Sequence, residues 1–386
     1  MKKLSFILAM VLATSFAMAQ PISHVTQVGP SNAAVVTQTG DNLSDVNQAN
    51  WAIPGHEATV TQIKIGTEVT KNISEIIQEQ RGADVIVRQE GGANVSRLVQ
   101  AGPNSADINQ KGNGNILGGL NYTGLAYQAN GTSFSDDKNV LNLIQTGDKN
   151  KAGVSQQHYA TAKLTQIGDE NEVKVDQYGG AVGILNTAEV MQIGDVNKAS
   201  ITQFDEGNRA MIDVLGYNNT TNIYQHVVDN YAIIKAVGSD NTVNVNQFTV
   251  TTRGNRAYLD MTGSNNVVNF TQSGSWNQIG GKDMFPDVAF AAVTAGDMLS
   301  YTGSNSTIDM TQSGNQNLVK SKMKNDSGDI DITQSGNVNT TTLFINAGAS
   351  DPIGFNNDAQ IMQTGSFNVS NNNVTGSNNS ITVTQN

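Results

Sequence analysis

The stretch that decides the fold is LTQIGDENEVKVDQ, residues 164–177. Two runs of alternating residues flank a Gly-Asp-Glu-Asn turn, so the stretch predicts a strand, a tight reversal and a second strand. In the second run, a two-residue period separates a face of amide and aliphatic side chains from a charged face. The first face holds Asn171, Val173, Val175 and Gln177, and the second holds Glu172, Lys174 and Asp176. Because the charged face must meet solvent, the amides share the interior with the valines.

The frame of this second run is an Asn followed six residues later by a Gln, with small and aliphatic residues between them. Strict copies start at Asn32, Asn42, Asn72, Asn94, Asn104, Asn139, Asn150, Asn171, Asn186, Asn197, Asn219, Asn241, Asn266, Asn357 and Asn379. Degenerate copies, such as His56 to Gln62 and Ala83 to Gln89, fill most of the gaps. Two such arcs make a unit of about 22 residues, because successive starts from Asn186 to Asn241 lie eleven residues apart. The sequence therefore predicts an all-β fold, an elongated β-solenoid of about fifteen two-strand rungs with two facing parallel sheets.

A repeat that never changes type predicts one solenoid domain over residues 20–386 with two uncapped terminal arcs. Residues 1–19 combine Lys2 and Lys3, a short apolar run and a final Ala-Met-Ala, which is the pattern of a cleaved secretory signal peptide. The apolar run is too short to span a membrane, and no later stretch is a candidate. Interruptions of the repeat predict loop insertions near 49–55, 63–71, 118–138, 178–185, 249–254, 282–294 and 346–356.

Composition argues against several functions. The net charge of −11 comes without a basic patch, so nucleic acid is not an expected partner. No cysteine is present for disulfides, and the four histidines, His24, His56, His158 and His226, are scattered. No nucleophile elbow, phosphate loop or metal-ligand motif occurs, so we expect no enzyme activity, cofactor, catalytic residue or metal site. Calcium binding by turn aspartates (Asp148, Asp169, Asp195) is an open alternative, although the Gly-Gly-x-Gly-x-Asp calcium repeat is absent.

The inward amides have a physical reason to repeat. Rungs of a solenoid lie about 4.8 Å apart, so an inward Gln meets an identical Gln above and below and exchanges hydrogen bonds with both. A buried amide without these partners costs about 1–3 kcal/mol. We expect a structural ladder formed by Gln166, Gln177, Gln192, Gln203, Gln225, Gln247, Gln272, Asn171, Asn197, Asn219, Asn241 and Asn266.

Gln-x-Gly, then Asn, then Gln six residues later, on strand-turn-strand units behind a secretory signal, resembles the curlin repeat. Arcs here open with Asn where that family often has Ser, although Ser306 keeps the Ser, and the chain is much longer than the common fibre subunits. The resemblance implies a secreted structural subunit of a curli-like amyloid fibre at the cell surface, which contributes to biofilm matrix, adhesion and cell aggregation. It also implies partners: further copies, other curlin-type subunits, a secretion pore and chaperones.

Two other functions stay open at this point. A monomeric solenoid adhesin would bind a surface or a glycan through its loop insertions. An ice-binding protein is less favoured, because a flat ice-binding face needs Thr at alternate positions and most arcs offer a single outward Thr. The resemblance also leaves open whether the chain is a major subunit, a nucleator or a tip adhesin.

Overall fold

The structure is a computed structural model that describes residues 21–50, 55–65, 70–80, 82–129, 138–179, 184–249, 253–280, 299–324, 327–346, 357–376 and 378–386. The chain divides into two compact units, Met1–Gln157 and His158–Asn386. Every regular secondary-structure element in the described residues is a strand, which confirms the all-β prediction. None of these residues belongs to a helix that is long and apolar enough to cross a membrane. The predicted signal peptide lies outside the described residues.

The described residues of unit 1 form twelve strands. They are β1 (Ile22–Val28), β2 (Ala33–Thr39), β3 (Leu43–Asn50), β4 (Glu57–Ile63), β5 (Ile73–Gln80), β6 (Asp84–Glu90), β7 (Val95–Ala101), β8 (Ser105–Lys111), β9 (Ile116–Gly118), β10 (Ala126–Ala129), β11 (Val140–Thr146) and β12 (Lys151–Gln157). The first sheet has the order β1-β3-β5-β7, followed by β9 and β10 and then β12, and the second has the order β2-β4-β6-β8-β11. Consecutive strands therefore alternate between the two sheets, as they do in a solenoid. Within each sheet the strands pair in parallel and in register.

One arc of unit 1 is split. Strands β9 and β10 both pair with β7 and with β12, so they are two halves of a single arc. The chain leaves the sheet between them at residues 119–125 and passes close to β12. A Cβ on Gly153 would lie 2.9 Å from the carbonyl oxygen of Gly119, so this close approach requires a glycine in β12.

The described residues of unit 2 form nineteen strands. They are β13 (Ala160–Ile167), β14 (Glu172–Tyr178), β15 (Asn186–Ile193), β16 (Lys198–Phe204), β17 (Arg209–Tyr217), β18 (Thr220–His226), β19 (Tyr231–Ser239), β20 (Thr242–Phe248), β21 (Arg256–Thr262), β22 (Val267–Ser275), β23 (Gln278–Ile279), β24 (Leu299–Thr302), β25 (Ser306–Asn315), β26 (Leu318–Lys324), β27 (Gly328–Asn337), β28 (Thr340–Asn346), β29 (Asp358–Thr364), β30 (Val369–Thr375) and β31 (Ser380–Gln385).

The strands of unit 2 again form two parallel sheets. The first sheet has the order β14-β16-β18-β20-β22-β25-β27-β29-β31. The second sheet has the order β13-β15-β17-β19-β21, followed by β23 and β24, and then β26-β28-β30. Strands β23 and β24 both pair with β21 and with β26, so they are the two halves of another split arc. Both units therefore confirm the predicted β-solenoid with two parallel sheets.

The predicted alternation of inward and outward residues is confirmed. The inward set is fully or almost fully buried: Val173, Val175, Ile201, Ile223, Val243, Val245, Val268 and Phe270. In β14, Lys174 is exposed, and the side chains of Glu172 and Asp176 are partly exposed. The core of each unit is therefore the strip between its two sheets.

A few outward positions depart from the expected exposure. Tyr231, Ile233 and Tyr258 lie on the outward parity of β19 and β21, yet each is at most 8% exposed, and Met211 packs against them. The Tyr231 and Tyr258 rings lie 5.7 Å apart between centroids. An alternating pattern identifies the face of a sheet but does not predict whether that face is covered.

The predicted loop insertions fall largely outside the part of the chain that the structure describes. The insertions near 49–55, 63–71, 118–138, 178–185, 249–254 and 346–356 lie partly outside the described residues, and the one near 282–294 lies wholly outside them. Their boundaries, and the assignment of residues 20–386 to one domain, stay predictions.

Candidate functional site: the interior amide ladders

The first sheet of unit 2 carries a column of glutamines through its interior. Gln177 donates from Nε2 to Oε1 of Gln203 at 2.8 Å, and the same contact joins Gln203 to Gln225 at 2.8 Å and Gln225 to Gln247 at 2.9 Å. Gln272 continues the column at 2.8 Å from Gln247. In the second sheet, Gln166 donates to Gln192 at 3.0 Å. All seven glutamines that the sequence assigns to the ladder are 0% exposed.

These glutamines also link the two sheets. Gln203 donates a second hydrogen bond from Nε2 to the carbonyl oxygen of Thr187, the residue sixteen positions earlier, at 3.0 Å. Gln225 does the same with Arg209 at 2.9 Å, and Gln247 with Tyr231 at 3.1 Å. These acceptors lie in the opposite sheet, so the amide joins both the rungs and the sheets.

The asparagines that the sequence assigns to the ladder lie beside the turns and form a second column. Asn219 donates from its main-chain N–H and from Nδ2 to Oδ1 of Asn197, at 3.1 and 3.0 Å. Its Nδ2 also donates to the carbonyl oxygen of Gly238 in the turn of the next rung, at 2.8 Å. This bond from Nδ2 to a glycine carbonyl recurs at all five positions, Asn171, Asn197, Asn219, Asn241 and Asn266.

The two columns have opposite polarity. Along the glutamine column, each Gln-to-Gln bond is donated toward the higher-numbered rung, as from Gln225 to Gln247. Along the asparagine column, each Asn-to-Asn bond is donated toward the lower-numbered rung, as from Asn241 to Asn219 at 2.9 Å. The amide dipoles of the glutamine column therefore point opposite to those of the asparagine column. Each column distinguishes the lower-numbered side of a rung from its higher-numbered side.

The sequence frame marks where the glutamine column ends, because the arcs that start at Asn208, Asn255, Asn317, Asn339 and Asn368 have an apolar residue at the Gln position. In the second sheet of unit 2 the column stops after Gln192, and apolar residues with one tyrosine continue it. They are Val214, Ala236, Met261, Tyr301, Met323, Ile345 and Val374. Replacing a whole run of stacked amides removes donors and acceptors together, which avoids stranding a buried polar group.

A tyrosine compensates for the Ser in the asparagine column. Ser306 donates its main-chain N–H to Oδ1 of Asn266 at 3.2 Å, but its side chain is shorter than that of an asparagine. The Tyr301 hydroxyl donates to Oγ of Ser306 at 2.6 Å and also approaches Oδ1 of Asn266 at 3.3 Å. The signal in the sequence is a Tyr at the Gln position of the arc that precedes the Ser.

The turn aspartates make main-chain contacts. Oδ1 of Asp148 accepts the N–H of Asn113, and Oδ1 of Asp195 accepts the N–H of Asp169, both at 2.8 Å. These bonds join the turns of neighbouring rungs. Within the described ranges, no three His, Asp or Glu residues lie close enough together to hold a metal ion.

Comparison with known families places one segment of the chain. A family model described as the curlin associated repeat matches residues 216–248, which span β18, β19 and β20 with their turns. No curated protein matches the chain. The fold defines a parallel β-solenoid protein with interior amide ladders. The family match shows that this solenoid carries a curlin repeat, and proteins of the curlin-repeat family are structural and occur outside the cell or at its surface.

Proposed function

We propose that this protein is a secreted structural subunit that stacks end to end into a curli-like amyloid fibre at the cell surface. Such a fibre would contribute to biofilm matrix, adhesion and cell aggregation. The partners are further copies of the chain and other curlin-type subunits, with a secretion pore and chaperones for export. The curlin repeat and the solenoid fold support a structural role over catalysis.

The proposal rests on the outermost described strands, whose inward-facing side chains are only partly buried. β31 pairs through one edge with β29, and Gln385 accepts a hydrogen bond from Gln363 at 2.7 Å. On the side away from β29, the described residues present Ile381, Val383 and Gln385 in the same frame as an interior rung, and all three are only partly buried. An open strand edge with an unsatisfied ladder is a template for another strand.

The other outermost strand provides a matching surface. β1 pairs with β3 in the described part of unit 1, and Gln27 donates to Gln48 at 2.7 Å. Val25, which lies on the same face of this strand as Gln27, is 41% exposed. A second copy that adds to such an edge continues both the main-chain pairing and the amide column, which gives an open filament.

The test is seeded growth of the mature chain, followed by thioflavin fluorescence and electron microscopy. We expect fibres that elongate from seeds, and we expect Val383→Lys to block elongation, because it places a charge on the strip that the next rung must cover. Thr382→Lys in the same strand is the control, since Thr382 is exposed and outward. A wild-type chain that stays monomeric for days with seeds would refute the fibre and favour the loop-binding adhesin.

A further inference from the structure

His56 occupies an asparagine position of the ladder in unit 1. It is 0% exposed and precedes β4, as Asn32 precedes β2 in the same sheet. Its main-chain N–H donates to Oδ1 of Asn32 at 3.1 Å, which is the bond that ladder asparagines make to the rung before them. The imidazole must therefore supply the remaining contacts of an asparagine side chain.

The contacts of the ring fix its tautomer. Nδ1 lies 3.1 Å from the main-chain nitrogen of Ala83, which can only donate, so Nδ1 carries a lone pair. Nε2 lies 3.1 Å from the carbonyl oxygen of Ala49, which can only accept, so Nε2 carries the proton. In this neutral form, Nδ1 replaces an asparagine Oδ1 and Nε2–H replaces an asparagine Nδ2–H.

The residue in the next rung matches this substitution. An amide oxygen accepts two bonds, as Oδ1 of Asn197 does from Asn219, whereas an imidazole nitrogen accepts one. An asparagine after His56 would keep its main-chain bond but leave its Nδ2 without that acceptor. Ala83 donates only its main-chain N–H, so His56 and Ala83 form a compatible pair.

We propose that His56 is a proton-sensitive junction between β4 and β6, which is closed when the imidazole is neutral and opens when it is protonated. A proton on Nδ1 would face the N–H of Ala83, so an acceptor would become a second donor. The junction would lose the Ala83 bond and hold a buried cation between two rungs. The adjacent bond from Glu57 N–H to the Ala83 carbonyl, at 2.9 Å, would loosen with it.

The surrounding groups determine the pH range. Burial lowers the pKa of His56 below its ordinary value, and this effect outweighs the Ala49 carbonyl and the Asp84 carboxylate, which both raise it. Glu57 is the other ionisable neighbour, and its side chain is exposed. The remaining contacts come from two uncharged residues, Asn32 just before β2 and Ala49 in β3. Because the open state binds the proton more readily, the junction is fully stable above about pH 6.5 and weakens below it.

Hydrogen exchange on the full mature chain tests the proposal, with the Ala83 and Glu57 amides compared at about pH 7.5 and about pH 5.5 after correction for intrinsic rates. We expect wild-type protection to fall by up to about tenfold per pH unit, the limit for one proton. His56→Asn should remove this pH dependence. His24→Asn, a change at an exposed histidine of β1 in the same unit, should retain it.

Two further measurements keep the proposal falsifiable even if a variant folds poorly. Imidazole ¹⁵N spectra of the wild type should show the proton on Nε2 at neutral pH. Ala83→Asn should lower protection in the wild type and raise it in the His56→Asn background, because only the asparagine oxygen accepts the second bond. A proton on Nδ1, equal pH dependence in wild type and His56→Asn, or an Ala83→Asn effect of the same sign in both backgrounds would overturn it.

Discussion

Replacing Gln225 by alanine breaks the interior column at a regular rung of unit 2. Gln225 accepts a bond from Gln203 at 2.8 Å and donates to Gln247 at 2.9 Å and to the Arg209 carbonyl at 2.9 Å. After the change, Gln203 keeps its bond to Thr187, but its other N–H loses the acceptor that Gln225 supplied. On the other side, Oε1 of Gln247 loses its donor. A buried polar group left without a partner costs about 1–3 kcal/mol, so we expect a local loss of at least that size.

The assay is hydrogen exchange of the main-chain amides in β16, β18 and β20, measured on the full chain. Asn222→Ala is the matched control, because Asn222 lies in the same strand, points outward and donates to Asn244 at 2.9 Å. An exposed bond of this kind contributes little, so protection should change by much less than with Gln225→Ala. Equal effects of the two changes would refute the assignment of stability to the interior column.

Two further predictions concern the turns. Val196 has a φ of +61°, which is unfavourable for a β-branched residue, whereas Asn218 has a φ of +53° in the turn that stacks on it. Val196→Asn should raise the free energy of unfolding by about 1 kcal/mol, and Asn218→Val should lower it similarly, as measured by urea titration. Gly216 has a φ of +140°, and a Cβ there would collide with the Gly238 carbonyl oxygen. Gly216→Ala should cost at least about 1–2 kcal/mol, whereas Gly124→Ala, in open space, should cost far less; similar midpoints for the two variants would contradict this reasoning.

Much of the fold could be predicted because the repeat is dense and its period is short. The two-residue period of apolar and polar side chains identifies the buried face of each strand. The sequence pattern alone therefore assigns Val173 and Phe270 to the interior, where both lie. The pairing of arcs across a loop insertion could not be predicted in the same way. That Tyr301 stacks on Met261, on the far side of the insertion near 282–294, follows only from knowing which arcs share a sheet. The burial of Tyr258 at an outward position depends on tertiary packing, which an alternating strand pattern does not predict.

The opposed polarity of the ladders bears on how copies of this chain would stack. At the β31 edge, Gln385 accepts its bond from Gln363 and donates one N–H to the Val369 carbonyl, so its second N–H is left for a following rung. Asn379 donates to Asn357 at 3.0 Å, so its oxygen is the group left to accept. At the β1 edge the roles reverse. Gln27 donates to Gln48 in β3, so its side-chain oxygen is left to accept a bond from an incoming donor. Two β31 edges would set glutamine donors against each other and asparagine acceptors against each other, whereas a β31 edge and a β1 edge match in the glutamine column. Ladder chemistry therefore favours head-to-tail addition over joining two like ends, and the fibre proposed above would be polar along its length.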